Sequence, residues 1–205
     1  MDIEKNLNSI TKKLSNYNAK LIPVIKNRTV EEVKEVYNYG FREFGENRLE
    51  DYFLHSEKFS DAIFHFIAPL QSRKIRSIFE NFKFIHTVSR LKEVDMIAEL
   101  DTKREVFLQI NIDRDTNKSG IDPDLIFEYF EYSKDRIGLP IGLMCIPNIQ
   151  SDSSKVFSRM QNINTELKNI YTQYKGELSM GMSADYEIAL DYGATMIRVG
   201  SKIFT

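Results

Sequence analysis

The sequence predicts a parallel (β/α)8 barrel of the TIM type. Three observations carry that expectation: about eight short apolar runs of strand character, a helix-periodic segment after nearly every one, and no Pro-, Gly- and Ser-rich stretch to divide the 205 residues. Strands alternating with helices specify a parallel sheet with helices outside it, and eight such units close into a barrel whose usual length range has its lower end near this chain. A doubly wound open sheet is the alternative, but no strand is followed by the G-x-G-x-x-G fingerprint. One domain spanning residues 1–205 is expected.

Ile3, Leu7, Ile10 and Leu14 recur at helical spacing among Lys and Asn, an amphipathic helix ahead of the first strand at 21–25. Thr29 and Glu32 write a capping box before Val33, Val36 and Tyr37, and Gly40 ends that helix. The second strand, 41–44, leads to a helix over 48–59 with Leu49, Tyr52 and Phe53 inward. The third, 63–67, leads to a helix over 71–82 with Ile75, Ile78 and Phe79 inward. Strand 84–88 precedes helix 91–100. Strand 106–112 precedes a polar loop over 113–120 and a helix opened by Asp122 and Pro123, carrying Leu125, Phe127 and Phe130. Strand 141–146 precedes the longest helix, 153–174, and strand 178–180 precedes helix 185–192, ended by Gly193. After the last strand, 195–199, too little chain follows for an eighth outer helix, so the N-terminal helix is expected to fill its place.

A formal net charge of −2 argues against a nucleic-acid partner, because phosphate-backbone binding leans on basic excess. Arg73, Lys74 and Arg76 form the densest basic patch and read as a solvated helix face. Cys145 is the only cysteine, which excludes an intramolecular disulfide or a multi-Cys metal site and fits a reducing, cytoplasmic location. No run approaches the ~18 apolar residues of a membrane span, and Met1-Asp-Ile-Glu-Lys lacks the apolar core expected of a signal peptide. Asp113 and Asp115 do not continue as a calcium loop, so no metal site is expected. His65 and His86 stand within apolar strand runs and read as hydrogen-bonded structural histidines.

Barrel chemistry gathers at the C-terminal strand ends, with phosphate commonly held after strands seven and eight. Lys26 ends the first strand. Burial there would leave a free, nucleophilic amine suited to Schiff-base chemistry; the alternative is a strand cap pointing into solvent. Ser179-Met-Gly181-Met-Ser183 follows the seventh strand and Arg198-Val-Gly200-Ser201 the eighth. Glycines, hydroxyls and helix N-terminal amides in these places describe a phosphate cradle, or else ordinary turns.

Ile25-Lys26-Asn27, Phe44-Gly45-Glu46-Asn47, His65-Phe66-Ile67, Leu70-Gln71-Ser72, Lys118-Ser119-Gly120-Ile121, Gly142-Leu143-Met144, Leu178-Ser179-Met180-Gly181-Met182-Ser183 and Ile197-Arg198-Val199-Gly200 stand in a telling order. From about residue 20 onward the chain resembles the pyridoxal phosphate homeostasis proteins (YggS/PROSC type), themselves similar in fold to the barrel domain of alanine racemase. The resemblance implies pyridoxal 5'-phosphate (PLP) as cofactor and Lys26 as the lysine that forms an aldimine with it. It implies Ser183, Gly200 and Ser201 as phosphate ligands, Arg198 facing the pyridine nitrogen, and Asn47 near the cofactor. The sequence departs from the family at Ala68-Pro69, where Gly-His is usual, which removes a ring from the mouth, and in a shorter segment before the first strand.

An arginine at the pyridine nitrogen donates a hydrogen bond but does not readily give up a proton, so the ring stays a weak electron sink. The resemblance therefore implies a non-catalytic PLP carrier in intracellular vitamin B6 homeostasis, a monomer that supplies apo forms of PLP-dependent enzymes. A small PLP-dependent amino-acid racemase is the alternative, and a phosphosugar enzyme using Lys26 a third.

Overall fold

The computed structural model describes residues 2–101 and 103–205. In chain order the elements are α1 (Ile3–Leu14), β1 (Lys20–Pro23), α2 (Val30–Tyr39), β2 (Glu43–Glu46), α3 (Leu49–Lys58), β3 (Ile63–Phe66), α4 (Ile75–Asn81), β4 (Phe84–Val88) and α5 (Leu91–Ala98). There follow β5 (Glu105–Gln109), α6 (Ile126–Ile137), β6 (Gly142–Met144), α7 (Ser153–Ile170), β7 (Glu177–Ser179), α8 (Tyr186–Asp191), β8 (Met196–Val199) and α9 (Ser201–Phe204). All strand pairings are parallel, in the order β1-β8-β7-β6-β5-β4-β3-β2. The ring closes between β1 and β2 through a parallel bridge from Val24 to Gly45, where Ile25 N–H donates to the Gly45 carbonyl at 3.0 Å. The expected barrel is the observed one.

Period-2 alternation divides the strand side chains between two regions. One set, including Leu21, Phe44, Phe64, Ile85, Leu108, Leu143, Leu178 and Ile197, joins the helices in the main apolar core. The other, Ile22, Phe107, Ile141, Met144 and Met196, forms a small separate cluster inside the barrel. His65, His86, Ser179 and Arg198 are buried as well, so polar side chains share this small interior.

The N-terminal helix takes the place expected of it. Its apolar stripe Ile3, Leu7, Ile10 and Leu14 is buried, Lys13 pairs with Glu187 of α8 at 3.0 Å, and Asn6 Nδ2 donates to the Ile203 carbonyl of α9 at 3.0 Å. Thr11 Oγ1 lies 3.2 Å from the Tyr39 hydroxyl at the end of α2, so α1 bridges the last helices to the first covering one. The expected Thr29 and Glu32 capping box is present.

Three local expectations are corrected. Phe53 faces solvent at 52% exposure; Leu49 and His55 are the buried pair on that helix, because a bond to Glu46 draws His55 inward. The segment 71–82 divides into a 3-10 turn, Ser72–Lys74, and α4. α7 stops at Ile170, where Tyr171 leaves helical geometry to stack on Phe130 at 4.8 Å. Among the described residues no helix is long and apolar enough to cross a membrane.

Candidate functional site

The C-terminal rim of the barrel collects the residues singled out by sequence. β1 ends at Pro23, and Lys26 follows in a turn whose next residue, Asn27, takes a left-handed φ of 57°. Lys26 is exposed. The fold leaves it outside the buried strand run; its distinction is its place on the rim. Asn47 directly follows β2, and its Oδ1 is buried without a hydrogen-bond partner among the described residues. Gln109 Oε1, at the end of β5, is in the same condition, while its Nε2 donates to the Ser119 carbonyl at 2.8 Å.

Next to β1 on the rim, the β7 and β8 loops interlock. Arg198 N–H donates to the Gly181 carbonyl at 2.9 Å, and Lys202 N–H donates to Ser183 Oγ at 3.2 Å. Gly181 has φ 92°, and a Cβ there would stand 2.7 Å from the Ala189 side chain and 2.9 Å from Tyr186 Cα, so only glycine fits. At Gly200 a Cβ would meet the Val24 carbonyl at 3.3 Å, which ties this loop to the end of β1. Ser183, Arg198, Gly200 and Ser201 thus form one cluster. Lys26 and Asn47 stand on the same rim at the ends of β1 and β2 without a side-chain hydrogen bond to that cluster among the described residues.

Arg198 is 3% exposed. Its Nη1 donates to Ser179 Oγ at 2.5 Å and its Nη2 to the Cys145 carbonyl at 3.0 Å. Desolvation lowers the guanidinium to about 10, which still leaves it cationic at neutral pH. Below it, Ser179 Oγ lies 2.7 Å from His86 Nδ1, His86 Nε2 lies 2.9 Å from His65 Nδ1, and His65 Nε2 lies 3.2 Å from Glu43 Oε2. Lys20 Nζ completes the column on Glu43 Oε1 at 2.9 Å, at the opposite end of the barrel. Burial lowers both histidines, His86 strongly, and the His65 hydrogen bond holds Glu43 down at about 2.

The histidines are hydrogen-bonded structural groups, as expected. Glu43 and Ser179 were not singled out as partners of Arg198. Their only signal is the inward strand phase they share with it.

Elsewhere on the rim, the Lys118 ammonium donates to the Ile146 and Pro147 carbonyls, which fastens the 113–120 loop to the end of β6. Buried Glu46 bonds His55 at 2.9 Å, and burial raises its carboxyl. Ala68 and Pro69, the departure noted above, line a cavity of about 630 Å³ together with Asn47, Leu49, Asp51 and Leu70, beside the mouth.

The family model described as "Alanine racemase, N-terminal domain" matches residues 2–205. The pyridoxal phosphate homeostasis protein of Aquifex aeolicus is 32% identical over 196 residues, which cover 91% of this chain and 86% of the relative. This chain belongs to the pyridoxal phosphate homeostasis protein family. A member from Schizosaccharomyces pombe is 34% identical over 199 residues, covering 91% of this chain and 84% of that one. The solved structure of PipY from Synechococcus elongatus with PLP bound superposes with a TM-score of 0.86 at 32% identity, over 99% of this chain and 100% of PipY. Its form without PLP gives 0.91 at 30% identity over the same shares. Alanine racemase of Clostridium difficile, at 17% identity, TM-score 0.79 and 56% coverage of that chain, shares the fold.

Proposed function

We propose that this protein binds PLP at the C-terminal mouth of the barrel and serves intracellular vitamin B6 homeostasis, holding the cofactor for apo forms of PLP-dependent enzymes. The observation that carries this is the buried guanidinium of Arg198, held by Ser179: the Arg198 strand runs into Gly200 and Ser201, whose loop meets Ser183 through Lys202 N–H, on a rim whose first strand leads to Lys26. The residues fit the group. Gly181 and Gly200 let the two cradle loops pack closely on Tyr186, Ala189 and Val24, Lys26 presents an exposed amine, and the Asn47 and Gln109 oxygens are buried acceptors without partners among the described residues. Ser183, Gly200 and Ser201 would hold the phosphate, Lys26 the aldehyde, Arg198 the pyridine nitrogen, and Asn47 a polar edge of the ring.

PLP supplies, when bound, an aldehyde that condenses reversibly with amines and a ring that can stabilise a neighbouring carbanion. Arg198 stays cationic at neutral pH, so it donates to a ring nitrogen without protonating it and favours holding over carbanion chemistry. His65 and His86 are engaged on both ring nitrogens, which speaks against either as the free base of a racemase. We also place the protein in the cytoplasm as a monomer; its one cysteine, Cys145, is buried and unpaired.

The test is titration of the purified protein with PLP, followed by borohydride and peptide mapping. A coloured protein with the label on Lys26 is expected. Colourless protein that ignores added PLP contradicts the function, and Lys26-dependent turnover of amino acids would move the reading to a racemase.

A further inference from the structure

The interior of the barrel holds more polar chemistry than its packing requires. The column from Arg198 through Ser179, His86 and His65 to Glu43 spans the barrel from mouth to base, and the type of each hydrogen bond can be worked out from one end. Glu43 is ionised and accepts only, so His65 must carry its proton on Nε2. A neutral His65 then has a bare Nδ1, which obliges His86 to donate from Nε2. His86 in turn has a bare Nδ1, which obliges the Ser179 hydroxyl to donate to it. The remaining Ser179 lone pair accepts from Arg198. Every donor points the same way, from Arg198 towards Glu43.

The groups facing the two imidazoles support this assignment. His65 meets Glu43 of β2, with Lys20 of β1 behind it, and on β4 its ring stacks on Phe84 at 4.3 Å beside His86; Lys83 adds a further cation at the base. His86 meets His65 of β3, Ser179 of β7 and the Arg198 charge of β8, and its ring stacks on Phe107 of β5 at 4.3 Å. Cations lie beyond both ends of the column, and each of the two rings is buried, so neither site favours an imidazolium.

We propose that Ser179, His86, His65 and Glu43 are positioning residues for Arg198: a one-way column of donors, anchored at the barrel base by the Glu43–Lys20 pair, that fixes both histidines as Nε2–H tautomers and holds the guanidinium in the orientation in which its remaining N–H groups serve the cofactor ring. The inference rests on the PLP reading for what Arg198 serves, and on the hydrogen bonds together with an ionised Glu43 and neutral buried imidazoles for the tautomers. It assigns to the base of the barrel a hold on affinity at the mouth. The phosphate cradle, built from the β7 and β8 loops and α9, lies outside the column.

Two measurements on the full chain test it. In the apo protein at pH 7.5, side-chain ¹⁵N resonances of His65 and His86 are expected to show the neutral Nε2–H tautomer, and Glu43→Ala to populate both tautomers. An Nδ1–H tautomer or an imidazolium at either residue in the unsubstituted protein overturns the column. In the second, Ser179→Ala and Glu43→Ala are each expected to raise the PLP Kd about tenfold and to shift the pH profile of the bound chromophore, while inorganic phosphate competes with unchanged affinity. Glu43→Gln, which keeps a carbonyl acceptor for His65, is expected to restore most of the affinity. Loss of phosphate and PLP binding together would mean general damage and overturn the positioning role, as would variants that match the parent in Kd and pH profile. If the parent protein itself binds no PLP, the proposed function fails, and the tautomers still decide whether the column exists.

Discussion

Arg198 donates from Nη1 to the Ser179 hydroxyl across 2.5 Å, inside a barrel where the other direct protein partner of its guanidinium is the Cys145 carbonyl. No carboxylate touches this buried cation among the described residues. Its nearest anionic anchor within the column is Glu43, reached through Ser179, His86 and His65, so the state of those neutral groups governs the energetics of the interior.

The first prediction concerns acid. His65 and His86 have folded-state values below the ordinary 6.5 because burial disfavours their charged forms. Below about pH 6.5 the unfolded chain therefore binds more protons than the native one, and stability falls as pH falls. Glu43 acts with the same sign at lower pH: its contribution is full above 4.5 and is lost as pH drops towards about 2. Glu46, raised by burial, works in the opposite sense. Urea midpoints are expected to drop from pH 7.5 to 5.5, and less steeply in His86→Phe, which removes one of the two histidines. His86→Phe should itself cost about 1–3 kcal/mol at pH 7.5, because it leaves the Ser179 hydroxyl proton and His65 Nδ1 without a partner.

The second concerns the β7 loop. Gly138 and Gly181 both have left-handed φ, but a Cβ at Gly138 meets nothing within 4 Å, whereas at Gly181 it meets Ala189 at 2.7 Å. Gly138→Ala is expected to cost about 1 kcal/mol from backbone strain, and Gly181→Ala about 1–3 kcal/mol more from overpacking. Urea unfolding of the two variants side by side measures the difference.

The third concerns the helix that completes the outer layer. Leu7 is fully buried under α1, so Leu7→Ala should lower stability by about 2–5 kcal/mol. Phe53→Ser, on the exposed side of α3, should change it by no more than about 0.5 kcal/mol. Equal losses in the two variants would contradict the helix orientations described.

A fourth follows from the exposure of Lys26. Lys26→Ala is expected to abolish formation of the PLP chromophore while leaving the stability read from urea unfolding within about 0.5 kcal/mol of the parent, because Lys26 is exposed. Phosphate competition should persist, since the cradle on β7 and β8 is untouched.

Periodicity made the barrel legible. Short apolar runs around Leu21, Phe44, Phe64 and Ile197 are each set off by helix-periodic segments, and Ile3, Leu7, Ile10 and Leu14 mark a helix whose only open place was the seam. Helix α3 resisted because Phe53 and His55 lie on opposite sides of the stripe begun by Leu49 and Tyr52. Hydrophobicity favours the phenylalanine, but a tertiary bond to Glu46 buries the histidine instead. The exposure of Lys26 was hidden by the apolar run before it, since the ladder ends at Pro23 and a turn intervenes. Glu43 and Ser179 stayed illegible as partners because strand phase says that each points inward, while only the closed ring, with its register, says which inward residues meet.

The central claim is that Lys26, on the rim after β1 and beside the Ser183 and Gly200 cradle of the neighbouring β7 and β8 loops, holds PLP. Its most direct measurement is the mass of peptides from PLP-loaded protein after borohydride reduction. The account predicts one pyridoxyl phosphate adduct, on the peptide carrying Lys26, and none in Lys26→Ala. An adduct on another lysine, or unlabelled protein after saturation with PLP, would contradict it.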